Sequence, residues 1–420
     1  VKNVTIKNLH VKGKLIGYGY RLSGLINEAN GTNTISNCSS DMDIAGTAGF
    51  GGMIHWLGFD SQATFNDCLV KETHNVLDFK IGGFVYAQDL YGICILNNCL
   101  YVGTPNTSGE DCHTFGKKVT LNNCYYLNAC GKTQGDRVTA DQLKSGEVAK
   151  LLQAGRNDQC YWAQTLGEMP NPYRETGKAE VNYVYYNKEN NSWACDDFRL
   201  TDGKPLPIGI DFIAARATYE RDLSIGKATI CLPYELPVQG FNAYTLSEKQ
   251  GNADALRFMP VTNKLEAYKP YLLMADGTVQ LGGENIEVKA FNDDKLTTPA
   301  GKYKFVGTVI GMDNASATAA NAYILQEDGK FHKVTTTNSA ATIPAYRAYI
   351  ICPPQASGAK QLSVVIDGET TGIGGATNGR ADGPVYDLQG RRMADRLDDA
   401  ARHRLPAGVY IVGGRKVVVK

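Results

Sequence analysis

A chain of 420 residues in which Lys+Arg and Asp+Glu each number 43 carries no formal net charge. That balance excludes recognition of nucleic acid or of an anionic membrane through a general basic excess. The length suits two or three domains, and no apolar run approaches the roughly 20 residues that cross a bilayer as a helix. The sequence opens at Val1, inside what reads as a repeat, with neither Met nor signal peptide. A mature form or a fragment of a longer chain is therefore expected.

The first third is repetitive. Ile35-Ser36-Asn37-Cys38, Phe65-Asn66-Asp67-Cys68, Leu96-Asn97-Asn98-Cys99 and Leu121-Asn122-Asn123-Cys124 share one pattern, with Cys-to-Cys steps of 30, 31 and 25 residues. Ser23-Gly24-Leu25-Ile26, Gly51-Gly52-Met53-Ile54 and Gly82-Gly83-Phe84-Val85 precede three of these cysteines by 14 to 16 residues. Each unit reads as a glycine corner, a short apolar strand, a polar loop, a second strand ending at Cys, and a return strand. One such unit cannot bury its apolar face alone, whereas stacked units can. Asn at a fixed place in successive coils is suited to a hydrogen-bonded ladder, and Cys there acts as a small buried hydrophobe. A short right-handed parallel β-helix over residues 1–135 is predicted, with Val1 to Leu9 as the remnant of an earlier coil. Cys38, Cys68 and Cys99 are expected to stack in line as reduced thiols.

This stretch resembles the GLUG-type repeats of bacterial surface proteins, in which a Gly-Gly-Leu-Val strand is followed by a Thr-Ile-Ser-Asn-Cys strand. Asn33-Thr34-Ile35-Ser36-Asn37-Cys38 is the closest match, and the later copies drift from it.

The chain holds 11 cysteines, an odd number. Four belong to the repeat, and Cys231 and Cys352 sit in strand-like apolar runs, so burial as thiols is the main expectation. Pairing of Cys112 with Cys94 or with Cys130 is the disulfide alternative. With no Cys-x-x-Cys and few His, no metal or cofactor is expected.

Residues 136–180 read as a connector. Thr139 is a candidate N-cap for a helix presenting Leu143, Val148, Leu151 and Leu152, placed to close one end of the coil stack, where strand edges are otherwise open. The segment through Trp162-Ala163-Gln164-Thr165-Leu166-Gly167 is similar to one that follows such repeats in Bacteroidetes surface proteins. Residues 181–369 then give strand candidates at Val181 to Tyr186, Ala228 to Pro233, Tyr271 to Met274, Tyr303 to Val309, Ala322 to Leu325, Ala348 to Cys352 and Gln361 to Ile366. Turn signals separate them, and the spacing predicts an antiparallel β-sandwich-like module of about 160 residues. The runs 217–221, 228–234 and 265–272 make it similar to a module of Bacteroides and Prevotella surface proteins, for which the resemblance implies no chemistry.

Residues 370–383 contain five glycines and read as a flexible linker. Residues 384–420 form a tail whose Val409 to Val412 and Lys416 to Val419 flank Gly413-Gly414 as a hairpin. Together with Val385-Tyr386-Asp387-Leu388, this closely resembles the C-terminal sorting tail of Bacteroidetes exported proteins. It is shorter than a full sorting domain, and 395–404 reads as an inserted helix. The fold class expected overall is all-β: parallel β-helix, antiparallel β-sandwich-like domain and small β tail.

Chemistry is harder to locate. β-Helices host polysaccharide lyases and hydrolases, which need paired carboxylates or a base beside a metal. Asp41 and Asp43 share a strand face, with Asp60, Asp67 and Asp78 near in sequence, but Asp at corners usually caps turns. Asp111-Cys112-His113 places adjacent groups on opposite faces. The loops 27–33, 55–62 and 86–92 would stack on one side and carry His55, Trp56, Phe59, Tyr86 and Tyr91. Such a wall suits sugar rings or a partner protein, or else folds back over the coil edge. The function expected is non-enzymatic binding or adhesion by a monomer at the cell exterior or outer-membrane surface. Its partner would be a glycan or a surface protein, with no nucleic acid and no membrane span. The alternative is a polysaccharide-active β-helix enzyme.

Overall fold

The computed structural model describes residues 1–420 except 19–20, 48, 77–79, 90, 107–108, 110, 222, 224–225, 249, 251–254, 276–278, 353–359, 368–383, 389, 398, 413–414 and 420. The predicted glycine linker, the Gly413-Gly414 turn and Asp78 lie outside the described residues.

The N-terminal part is a parallel β-solenoid of about four turns. One wall is a five-stranded parallel sheet in which Thr5–Lys7, Thr32–Ser36, Gln62–Asn66, Ile93–Asn97 and Thr120–Asn122 lie side by side. Its register stacks Ile6, Ile35, Phe65, Leu96 and Leu121 in one column. The Val1 to Leu9 segment is thus a partial first coil, and Asn8 has the same left-handed φ as Asn37.

The repeat motif explains each corner. Asn37, Asp67, Asn98 and Asn123 all adopt φ between 51° and 53°, a conformation that Asn and Asp tolerate better than most side chains. The following cysteine turns inward. Cys38, Cys68, Cys99 and Cys124 point their sulfurs at the carbonyls of Ile6, Ile35, Phe65 and Leu96 in the preceding coil. None of the 11 cysteines, Cys94, Cys112 and Cys130 included, is in a disulfide. The residue before each corner builds an amide ladder: Asn66 donates to Ser36, Asn97 to Asn66 and Asn122 to Asn97. At the opposite corner, a Cβ on Gly52 would strike the Gly83 carbonyl and one on Gly83 the Thr114 carbonyl, so the coils close there only with glycine.

Alternation on the return strands decides where the connector goes. Val70 and Tyr101 point inward, while Leu69 and Leu100 point outward and are fully buried under other elements. The expected single helix is two, Ala140–Ser145 and Glu147–Gln153, broken at Gly146 with φ 94°. Thr139 and Gln142 form a capping box. These helices do not close the end of the stack. They lie along its flank, where Leu143, Val148, Leu152 and Trp162 join Leu69, Leu100 and Val102 in one core. Covering the outward apolar strip of the coils removes that surface from water.

Trp162–Thr165 and Asn171–Pro172 are strands of a six-stranded sheet completed by Tyr183–Asn187, Ser192–Thr201, Phe212–Glu220 and Gly283–Val288. The sheet therefore runs across position 181. A second sheet has ten strands and contains Lys227–Ile230, Tyr271–Met274, Tyr303–Thr308, Ala322–Leu325, Arg347–Ile351 and Gln361–Ile366. These match the predicted strand positions. Pairing is mostly antiparallel, with parallel exceptions at Ser192–Thr201 with Phe212–Glu220 and at Ala255–Val261 with Gln361–Ile366. The tail is a separate four-stranded sheet with its own core of Val385, Leu397, Tyr410, Val412, Val417 and Val419. Its inserted helix is Asp399–Arg404.

Candidate functional site

The aromatic residues singled out in the sequence fall on neighbouring coils, but not as one exposed wall. Ile54–Leu57 lies between Ile26–Ala29 and Val85–Gln88. Ile54 and Leu57 enter the core. His55 is only 3% exposed. Its ring sits 4.9 Å from that of Tyr86, which is half-buried and packs over Gly49, where a Cβ would collide with it. Burial, then the Arg21 charge, pushes the imidazole down to about 4, and the Gly49 backbone works the other way. His55 is a neutral packing residue at pH 7.

Trp56 is half-buried. The Arg21 guanidinium lies 5.6 Å from its ring centroid, held by Glu28 at 2.7 Å, and Glu28 is the cross-strand neighbour of Trp56. Its indole face is therefore shared with a cation. Phe59 and Tyr91 project outward at the next corner, 60% and 58% exposed. Their rings meet edge to face with centroids 5.3 Å apart. Ile93 beside them is 52% exposed. The predicted wall thus resolves into an exposed Phe59–Tyr91 pair and a more buried group of His55, Tyr86 and the Arg21-covered Trp56. Sequence spacing could place the five residues on one side; it could not show that His55 lies under Tyr86.

Asp41 and Asp43 share a face as expected, but Lys12 and Lys14 stand beside them in register, and Lys12 lies 3.7 Å from Asp41. Asp60 occupies a left-handed turn position. Cys112 is buried in the core, and the His113 ring approaches the Asp111 backbone carbonyl. Among the described residues no group of three or more His, Cys, Asp or Glu could hold a metal ion. No helix among them is long and apolar enough to cross a membrane.

A concave feature was missed in the sequence. Where the Asn corners meet the connector, a polar cleft of about 650 Å³ opens. Asn8, Asn37 and His10 line one side; Tyr161, Tyr173 and Arg174 line the other. Its base is Asp67, 4% exposed, which accepts two hydrogen bonds from Arg156 and one from the Trp162 indole. Burial pushes the Asp67 carboxyl up, against the pull of Arg156 and Trp162. The Arg156 guanidinium also stacks 3.6 Å from the Tyr161 ring centroid. One signal was present: Asp67 stands where the other full copies carry Asn, and a buried carboxylate calls for a cation. Nothing local pointed to Arg156.

No family model matches the chain, and neither the curated proteins nor the solved structures include a significant match to it.

Proposed function

We propose that this chain is a non-enzymatic, exported ligand-binding protein that holds a glycan at the aromatic corner of its solenoid. The observation that carries the reading is the Phe59–Tyr91 pair, two large rings left mostly exposed beside Ile93 on a regular, rigid scaffold. Exposed rings on fixed backbone offer stacking area at little entropic cost. The likeness of the repeats to GLUG repeats, and of the tail to Bacteroidetes sorting tails, supports a place at the cell exterior or outer-membrane surface and a role in adhesion. That likeness is an argument by analogy.

The test is a glycan array on the full chain, repeated with Phe59→Ala and Tyr91→Ala. Each substitution is expected to weaken glycan binding about three- to tenfold, in line with about 0.5–1.5 kcal/mol for an aromatic contact. Binding that survives both changes but is lost in Tyr173→Ala would move the site to the cleft. Retention of a surface protein with no glycan bound would replace the ligand class. Release of new reducing ends or unsaturated sugars, abolished by Asp41→Ala or Asp43→Ala, would favour a polysaccharide-active enzyme.

A further inference from the structure

A second cavity, of about 250 Å³, lies in the β module and is unrelated to the aromatic corner. It is lined on one side by Leu223, Ile343 and Pro344 and on the other by Arg221, Lys227 and Arg347. Three cationic residues line a space too small for a drug-sized ligand, whose sites measure about 300–1,000 Å³.

The charges there are not balanced among the described residues. Arg347 gives Nη2 to both oxygens of Asp202, at 2.8 and 2.6 Å. The same carboxylate accepts the Tyr219 hydroxyl at 3.0 Å. Asp202 thus bonds directly to Arg347 and acts on Arg221 only through its charge. Arg221 donates Nη1 to the Thr229 carbonyl, a neutral acceptor, at 2.5 Å, and the Tyr219 hydroxyl and the Asp202 carboxylate give its charge partial support. The Nε atoms of Arg221 and Arg347 are both buried, and neither has a hydrogen-bond partner among the described residues. A buried guanidinium donor without an acceptor is costly, and two beside one cavity are an arrangement that an anion would complete. Burial, then the neighbouring Arg347 charge, pushes the Arg221 guanidinium down to about 10, well below its ordinary value. An anion in the cavity would relieve both effects.

The geometry points to an oxyanion-binding pocket in which Arg221 and Arg347 hold a phosphate, a sulfate or the carboxylate of a sugar acid, with Lys227 at the rim. The planar guanidinium fork matches such groups. The apolar side leaves room for little beyond the charged group itself.

The test is isothermal titration of the full chain with sodium phosphate, sodium sulfate and sodium glucuronate, at ionic strength held constant with chloride. Saturable binding of at least one is expected. Arg221→Met should weaken it by about tenfold or more, the loss expected for a charged hydrogen bond. Lys227→Met should weaken it about threefold and serves as the deciding variant if Arg221→Met does not fold. Preference for glucuronate assigns the pocket to an acidic sugar; preference for phosphate or sulfate assigns it to a phosphoryl or sulfuryl group. Absence of saturable binding by the unaltered chain, or equal affinity in the folded variants, overturns the assignment.

Discussion

Asp67 and Arg156 stand 89 residues apart and meet through two hydrogen bonds, Nη1 to Oδ2 at 3.0 Å and Nη2 to Oδ1 at 2.6 Å. The pair fastens the connector to the second full coil. It occupies the one full-repeat corner where the column of asparagines is interrupted, so the exception in the repeat is the attachment point.

Asp67→Ala should destabilise by about 3–5 kcal/mol, because it leaves the Arg156 charge half-buried without its partner. Asp67→Asn should cost less, since Asn suits the left-handed corner and can still accept from the Trp162 indole. Denaturant unfolding of the two variants checks the order. Equal losses would show that the charge pair is not what fastens the connector.

Glu72 is fully buried inside the solenoid and accepts the Ser40 hydroxyl. Burial pushes its carboxyl well above the usual range; the Ser40 bond opposes this, and the Asp41 charge adds to it. A raised folded value means the native state keeps a proton the unfolded chain releases. The stability linked to Glu72 is complete below the unfolded value and falls as pH rises toward the folded one. Glu72→Gln should therefore unfold at a higher temperature than the unaltered chain at pH 8 and at nearly the same temperature at pH 4. The wild-type stability should carry an extra slope of up to about 1.4 kcal/mol per pH unit between these limits. A difference independent of pH would refute the assignment.

Cys68 is fully buried, with its sulfur facing the Ile35 carbonyl. Cys68→Ala should lose about 1 kcal/mol, as expected for a small cavity. Cys68→Arg should lose about 4 kcal/mol or prevent folding, because it buries an unpaired charge. Thermal melts of the two variants measure the gap, and an unchanged melt for Cys68→Arg would contradict the inward register.

Removal of residues 368–420 should leave the melting temperature of the remaining chain nearly unchanged. The tail keeps its own sheet and core, and among the described residues none of its strands pairs with the ten-stranded sheet. A fall of more than a few degrees on truncation would mean that the tail contributes to the preceding module.

Much of the solenoid was legible because its physics repeats. Asn at a left-handed corner and Cys turned inward recur at steps of 30, 31 and 25 residues, and each copy confirms the last. Strands such as Tyr271–Met274 and Gln361–Ile366 were legible from composition and turn residues. Their partners were not, since pairing of Ala255–Val261 with Gln361–Ile366 spans more than a hundred residues. The helix break at Gly146 was missed because apolar spacing continued across it. The flank position of the helices depended on Leu69 and Leu100 facing outward, which follows from strand alternation only once the register is known. At the candidate site, spacing put the aromatics on neighbouring coils, but depth is a tertiary property. Phe59 and Tyr91 remained exposed while His55 did not.

The amide ladder also sets how the solenoid responds to force. Its side-chain bonds and the backbone bonds beside them run from coil to coil, along the axis. Tension applied along that axis loads the coil junctions in series, so the weakest opens first and the chain yields coil by coil. Tension applied across the axis shears many of these bonds together. A solenoid pulled from the side would therefore resist far more than one pulled from its end.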